Sequence, residues 1–233
     1  MRFPKIAGIL LLMACCGWAG TITVVNPSFE TPVVSGMACG GSFGCEYRPN
    51  GFGWFFPSPP DSAGIASNGG IFNLASAEDG TQAAFIQRGT GDISQTINGL
   101  VAAQTYVVSF WAAQRPDTYV NEVFQFGGEE DFYVYWCPLG VCGAPIGYSD
   151  PTSTSFQNYT FSFATVTETT GLLGFQAIDS LTGDRTAFID NVQINSPSDG
   201  VPEPSNWLLV LSGIGLIGLG LRRRLVHSRS LSS

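Results

Sequence analysis

The sequence predicts an all-β body, a two-sheet antiparallel β-sandwich. Three observations carry this. Between residues 22 and 195, short β-branched and aromatic runs alternate with Gly, Pro, Asn and Asp punctuation, and helical periodicity is almost absent. The clearest runs alternate with period two. In 105–113 Tyr106, Val108, Phe110 and Ala112 share one side, and in 156–165 Tyr159, Phe161 and Phe163 point inward with Thr160 and Ser162 outward. Further runs at 83–88, 93–97, 120–126, 132–136, 172–178 and 186–195 bring the count to eight, enough for two packed sheets of the jelly-roll kind.

The elements follow in order. Arg2 and Lys5 precede an apolar run at 6–13, and the small residues Gly17 and Ala19 fit positions −3 and −1 of a cleavage site. Residues 1–19 therefore read as a secretory signal peptide, handled by the Sec translocon and signal peptidase, with lipidation of Cys15 as the alternative. Residues 20–198 form the sandwich domain. Residues 199–206 are a linker in which Pro202 and Pro204 hold Glu203 extended.

An uncharged run at 207–221 follows, then Arg222, Arg223 and Arg224. Fifteen helical residues reach roughly 22 Å, short of a hydrocarbon core of about 30 Å. The run reads as one short transmembrane helix, with Trp207 at one interface and the arginines of the 222–233 tail on the cytoplasmic side. The order Pro-Glu-Pro, apolar span, arginines resembles the PEP-CTERM sorting signal of Gram-negative bacteria that secrete polysaccharide. The resemblance implies processing by an exosortase, transient inner-membrane anchoring, and delivery to the cell surface or matrix.

Composition narrows the partners. Residues 20–199 hold seventeen carboxylates, four arginines and no lysine, a formal charge of −13. Such a surface excludes nucleic acid and anionic lipid and suits cations or neutral glycans. Four cysteines lie in the exported part, and the close pairs Cys39/Cys45 and Cys137/Cys142 predict two local disulfides.

A second resemblance spans the body. Asn26-Pro-Ser-Phe-Glu30, Gln82-Ala-Ala-Phe-Ile-Gln87, Ile93-Ser-Gln-Thr96, Tyr106–Arg115 and Ala187-Phe-Ile-Asp-Asn-Val192 are similar, in this order, to galactose-binding-like jelly rolls, including carbohydrate-binding modules. The stretch 123–148, with Gly-Gly-Glu129-Glu130-Asp131 and the Cys137/Cys142 loop, departs from that pattern. The acidic run reads as a solvated loop tip.

Period two in the closing strand puts Asp190 in an apolar row with Phe188, Val192 and Ile194, so its charge needs a partner. The resemblance implies that Glu30 and Asp190, with Asn26, bind a structural Ca²⁺; hydrogen bonds from backbone N–H groups or water are the alternative. Sugar recognition needs flat aromatic faces and hydroxyl partners. Tyr119, Tyr135 and Trp136 beside the divergent stretch, with Arg115, are the candidates, while Trp54, Phe55 and Phe56 read as core.

Histidine-dependent catalysis is excluded in the body, because the single histidine, His227, lies beyond the arginine triplet. No spacing singles out a pair of carboxylates. The resulting reading is a non-catalytic module associating with extracellular polysaccharide, with a carboxylate-dependent glycan hydrolase or lyase, or a ligand-free matrix protein, as alternatives.

Overall fold

The computed structural model describes residues 22–39, 42–57, 61–120, 123–128, 130–138, 140–178 and 184–196. The segments read as signal peptide, Pro-Glu-Pro linker, transmembrane helix and basic tail lie outside the described residues. Among the described residues no helix is long and apolar enough to cross a membrane.

The described body is all β. In chain order the strands are β1 (Ala38–Cys39), β2 (Ser42–Phe43), β3 (Cys45–Tyr47), β4 (Ala63–Ser67), β5 (Gln82–Gln87), β6 (Asp92–Asn98) and β7 (Thr105–Val120). Then come β8 (Val123–Gly128), β9 (Phe132–Pro138), β10 (Gly147–Ser149), β11 (Gln157–Ala164), β12 (Thr170–Ala177) and β13 (Thr186–Asn195). The larger sheet runs β11-β7-β13-β5-β4-β3, with β8 paired to the distal half of β7; the smaller runs β10-β9-β12-β6. All pairings are antiparallel. The eight runs read from sequence all correspond to strands; β1 to β4 and β10, short and rich in small residues, gave no such signal.

The inner faces meet in one core. Phe110, Phe132 and Phe175 are fully buried there and pack edge to face or tilted, with centroids 4.9 to 6.1 Å apart. Each fully buried aromatic contributes about 1.5–3 kcal/mol of transfer free energy. Tyr106, Val108, Phe110 and Ala112 lie on the face that their spacing assigns.

A second, smaller core lies on the outer side of the larger sheet. Phe72, Leu74 and Ala77 from the segment after β4, with Cys39 and Cys45, cover Phe85, Ala113 and Phe188. The strands β4 and β5 are thus buried on both faces, and their burial shows no alternation. Cys39–Cys45 and Cys137–Cys142 are disulfides, with Cα atoms 5.6 and 4.2 Å apart.

The closing strand departs from the expected single face. Between Asp190 and Gln193 the register against β7 slips by one residue, a β-bulge with Asn191 at φ 47°. Ala187, Ile189, Val192 and Ile194 enter the main core, whereas Phe188 enters the second.

Candidate functional site

The outer face of the small sheet stays open. Along β9 Phe132, Val134 and Trp136 point inward, so Tyr133 and Tyr135 must point outward. Register then lines the outward residues into rows. Asp92, Gln176, Tyr133 and Tyr148 follow one another across β6, β12, β9 and β10. Ser94, Gly174 and Tyr135 form the next row, and Thr96, Leu172 and Cys137 the third. A groove of about 370 Å³ lies over these rows, with the Cys137–Cys142 disulfide at one end.

The second row continues beyond β6. Phe55 forms an antiparallel bridge with Ser94: its N–H donates to the Ser94 carbonyl at 2.8 Å, and its carbonyl accepts the Ser94 N–H at 2.9 Å. Trp54 and Phe56 are buried on either side, and Phe55 is 62% exposed. It is therefore presented on the groove face rather than in the core. Phe55 and Tyr135 stand three strand spacings apart, roughly 14 Å, with Ser94 and Gly174 between them. A Cβ at Gly174 would meet nothing closer than 3.6 Å, so this glycine leaves the floor low where a side chain could fit.

Among the described residues that line the groove, one is a carboxylate, Asp92. Burial pushes that carboxyl up to about 6. Tyr135 is raised from its ordinary value by partial burial first, then by the neighbouring Tyr133 and Asp92. Tyr133 packs edge to face on Tyr135 and Tyr148, with centroids 5.9 and 6.1 Å apart. The Tyr148 hydroxyl donates to Asp131.

Of the residues singled out from sequence, Tyr135 lies in the groove. Trp136 does not: it is buried and stacks on Phe163 at 4.3 Å, and a Cβ at Gly171 would come within 2.3 Å of its ring. Adjacent strand residues face opposite ways, so Tyr135 and Trp136 cannot share a surface. Arg115 is buried as well. Its Nη1 donates to Asp184 at 3.0 Å, its Nη2 to the Ile71 carbonyl at 3.1 Å, and its guanidinium lies over Phe72. Burial lowers its basicity, and Asp184 opposes that. The backbone of Tyr119 pairs with Phe124 in β7 and β8, and its side chain lies outside the described residues. Glu130 is not at a solvated tip: it is fully buried, and its Oε1 accepts the Gly89 N–H at 2.8 Å. Sequence reasoning assigned Phe55 to the core and passed over Asp92, Gly174 and Gln176; period two through 54–56 was the available signal that Phe55 faces away from Trp54 and Phe56.

Glu30 and Asp190 flank one loop, 78–82. Glu30 Oε1 accepts the N–H groups of Thr81 and Gln82 at 2.9 and 2.8 Å, and its Oε2 accepts the Thr81 hydroxyl at 3.0 Å. Asp190 accepts the N–H groups of Asp79 and Asn191 at 2.9 and 2.8 Å. Burial raises its carboxyl to about 7 against the pull of those donors. The Asn26 side chain clamps Thr31 at both ends. These residues do not fit a calcium cage: their oxygens face the positive ends of N–H and O–H groups, which a cation would have to displace. Among the described residues no three His, Cys, Asp or Glu side chains gather as metal ligands.

Comparison with known proteins adds two findings. Residues 200–224 match the family model for the PEP-CTERM protein-sorting motif. The chain carries an exosortase sorting signal. That motif marks an exported protein of the kind found in Gram-negative bacteria.

Among solved structures, a cyclase from Fischerella sp. TAU aligns at 18% identity over 77% of this chain and 98% of its own, with a TM-score of 0.52. An apo cyclase from Fischerella sp. aligns at 18% identity over 77% and 97%, with a TM-score of 0.51. A family 61 carbohydrate-binding module in complex with β-1,4-galactotriose aligns at 16% identity over 72% and 94%, with a TM-score of 0.48. At these identities the likeness extends to the fold. No curated protein matches the chain.

Proposed function

We propose that this is a non-catalytic, surface-delivered module that associates with extracellular polysaccharide through the groove on the small sheet. The observation that carries the reading is the second row: exposed Phe55 and half-buried Tyr135 flank a floor kept low by Ser94 and Gly174. Aromatic faces stack on the C–H faces of sugar rings, and Asp92, Gln176 and the tyrosine hydroxyls supply partners for sugar hydroxyls. Tyr135 keeps the role read from sequence. In the first stage of export the C-terminal segment anchors the chain, and an exosortase then removes it.

The groove is poorly equipped for hydrolysis. Glycosidases place two carboxyl groups across the scissile bond, roughly 5–9.5 Å apart, and Asp92 is the one carboxyl among the described residues that line the groove. Its raised pKa is what favours the second reading, a carboxylate-dependent glycan hydrolase or lyase, because a carboxyl that holds its proton up to about 6 can serve as a general acid in mildly acidic medium.

A glycan array probed with the wild type and with Tyr135→Ala tests the first reading; binding by the wild type and its loss in the variant is the expected result. Equal silence of both leaves a ligand-free matrix role. Reducing-sugar release from a broad polysaccharide panel would establish the enzyme instead. For sorting, intact-mass measurement of exported protein is expected to show loss of everything beyond the Pro202-Glu203-Pro204 region; mature material retaining His227 would refute it.

A further inference from the structure

We propose that the groove selects neutral glycan chains and turns away uronate-rich ones, with the Asp92 carboxylate as the discriminating group. This rests on the binding reading above and sharpens it to a substrate class.

The argument is one of donors, acceptors and charge. Asp92 opens a row that continues through Gln176, Tyr133 and Tyr148. An ionised carboxylate only accepts hydrogen bonds, and two neighbouring sugar hydroxyls can donate to its two oxygens. A uronate brings a second carboxylate, which donates nothing and meets a like charge in a partly desolvated site. A cation beside Asp92 would relieve that conflict, and among the described residues none lines the groove. Lysine is absent from residues 20–199. Arg88 and Arg115 both engage Asp184, and Arg48 donates from Nε to the Phe56 carbonyl.

The groups packed around Asp92 leave its charge unbalanced. Gln176 stands opposite it on β12, and Tyr133 and Tyr135 approach from β9. Burial holds the Tyr135 phenol above its ordinary value, so it adds no charge beside Asp92. Asp92 itself, raised to about 6 by burial, is ionised at pH 7.5 and protonated at pH 4.5. Protonation removes one acceptor oxygen and the like-charge penalty together. Acidification therefore weakens binding of neutral sugars and erases the discrimination.

The test uses the full chain purified in mild detergent, titrated calorimetrically at pH 7.5 and 4.5. Neutral probes are galactan, xylan and β-glucan oligosaccharides; anionic probes are oligogalacturonate and alginate oligomers. The best neutral probe is expected to bind at least about tenfold tighter than any uronate at pH 7.5, and about tenfold more weakly at pH 4.5 than at 7.5. Asp92→Asn is expected to lose the pH dependence and to bring the two probe classes within about threefold. Asp92→Glu keeps the discrimination, and thermal melts confirm that both variants fold. Uronates binding the wild type as well as neutral probes, or neutral binding indifferent to pH, overturns the selectivity while leaving the binding reading in place. Silence of the wild type toward every probe overturns the binding reading itself.

Discussion

The two sheets treat their outer faces in opposite ways. The larger sheet hides its outer aromatics: Phe85 and Phe188 are sealed beneath Phe72 and Leu74, with Arg115 capping Phe72. The smaller sheet leaves Tyr133, Tyr135, Tyr148 and Phe55 at the surface. Both faces carry aromatic area, but only one is given a cover. Aromatic area that folding does not bury contributes little to stability and is available to a ligand.

That contrast can be broken by substitution. The largest effect belongs to the covered face. Phe188→Ala is expected to cost about 3–5 kcal/mol in chemical denaturation, because the Phe85 and Phe72 side chains cannot close the gap. A cost below 1 kcal/mol would mean that the second core is loose.

Next comes Asp190, beneath the same cover. Its folded-state pKa, about 7, lies above the unfolded value, so the folded chain binds the proton more tightly. The stability it contributes is fully present below about pH 4 and is lost as pH rises through about 7. Denaturation at pH 4.5 and 8 is expected to show wild type losing a few kcal/mol more than Asp190→Asn. Parallel pH profiles would show that the N–H donors of Asp79 and Asn191 outweigh burial.

On the open face, Tyr135→Ala and Gly174→Val should leave stability within about 0.5 kcal/mol while weakening glycan binding about tenfold or more. The valine raises the floor between Phe55 and Tyr135, and its Cβ would meet nothing closer than 3.6 Å. A variant that unfolds instead would make this face structural. The smallest effect is expected from chelation: with Glu30 and Asp190 held by hydrogen bonds, EDTA should move Tm by less than about 1 °C. A fall of several degrees would show that a cation seats beside loop 78–82.

The same contrast explains what was legible in the sequence. Strands with one covered face, such as 105–113 and 132–136, announce themselves by alternation, and β13 was readable end to end. Strands β4 and β5 are covered twice, so alternation vanishes; β5 was still found through its apolar run, whereas Ala63-Gly-Ile-Ala-Ser67 was not. The site was less legible because its register is tertiary. Nothing local to Phe55 shows that it will bridge to Ser94 and align with Tyr135. Trp136 was misplaced for a simpler reason: alternation from Phe132 already sent it inward. Arg115 was misplaced because a segment forty residues away, ending in Phe72, arrives to bury it.

One extra residue at Asn191 has a large effect. It acts as a phase change halfway along β13, so Ala187 and Ile189 before it and Val192 and Ile194 after it reach the same apolar layer. Without the bulge, strict alternation through the same residues would carry Val192 and Ile194 to the side of Phe188, leaving the central layer without its last two contributors. The chain thus relies on an irregularity, rather than on regular pleating, to keep both halves of its closing strand fastened to the central layer.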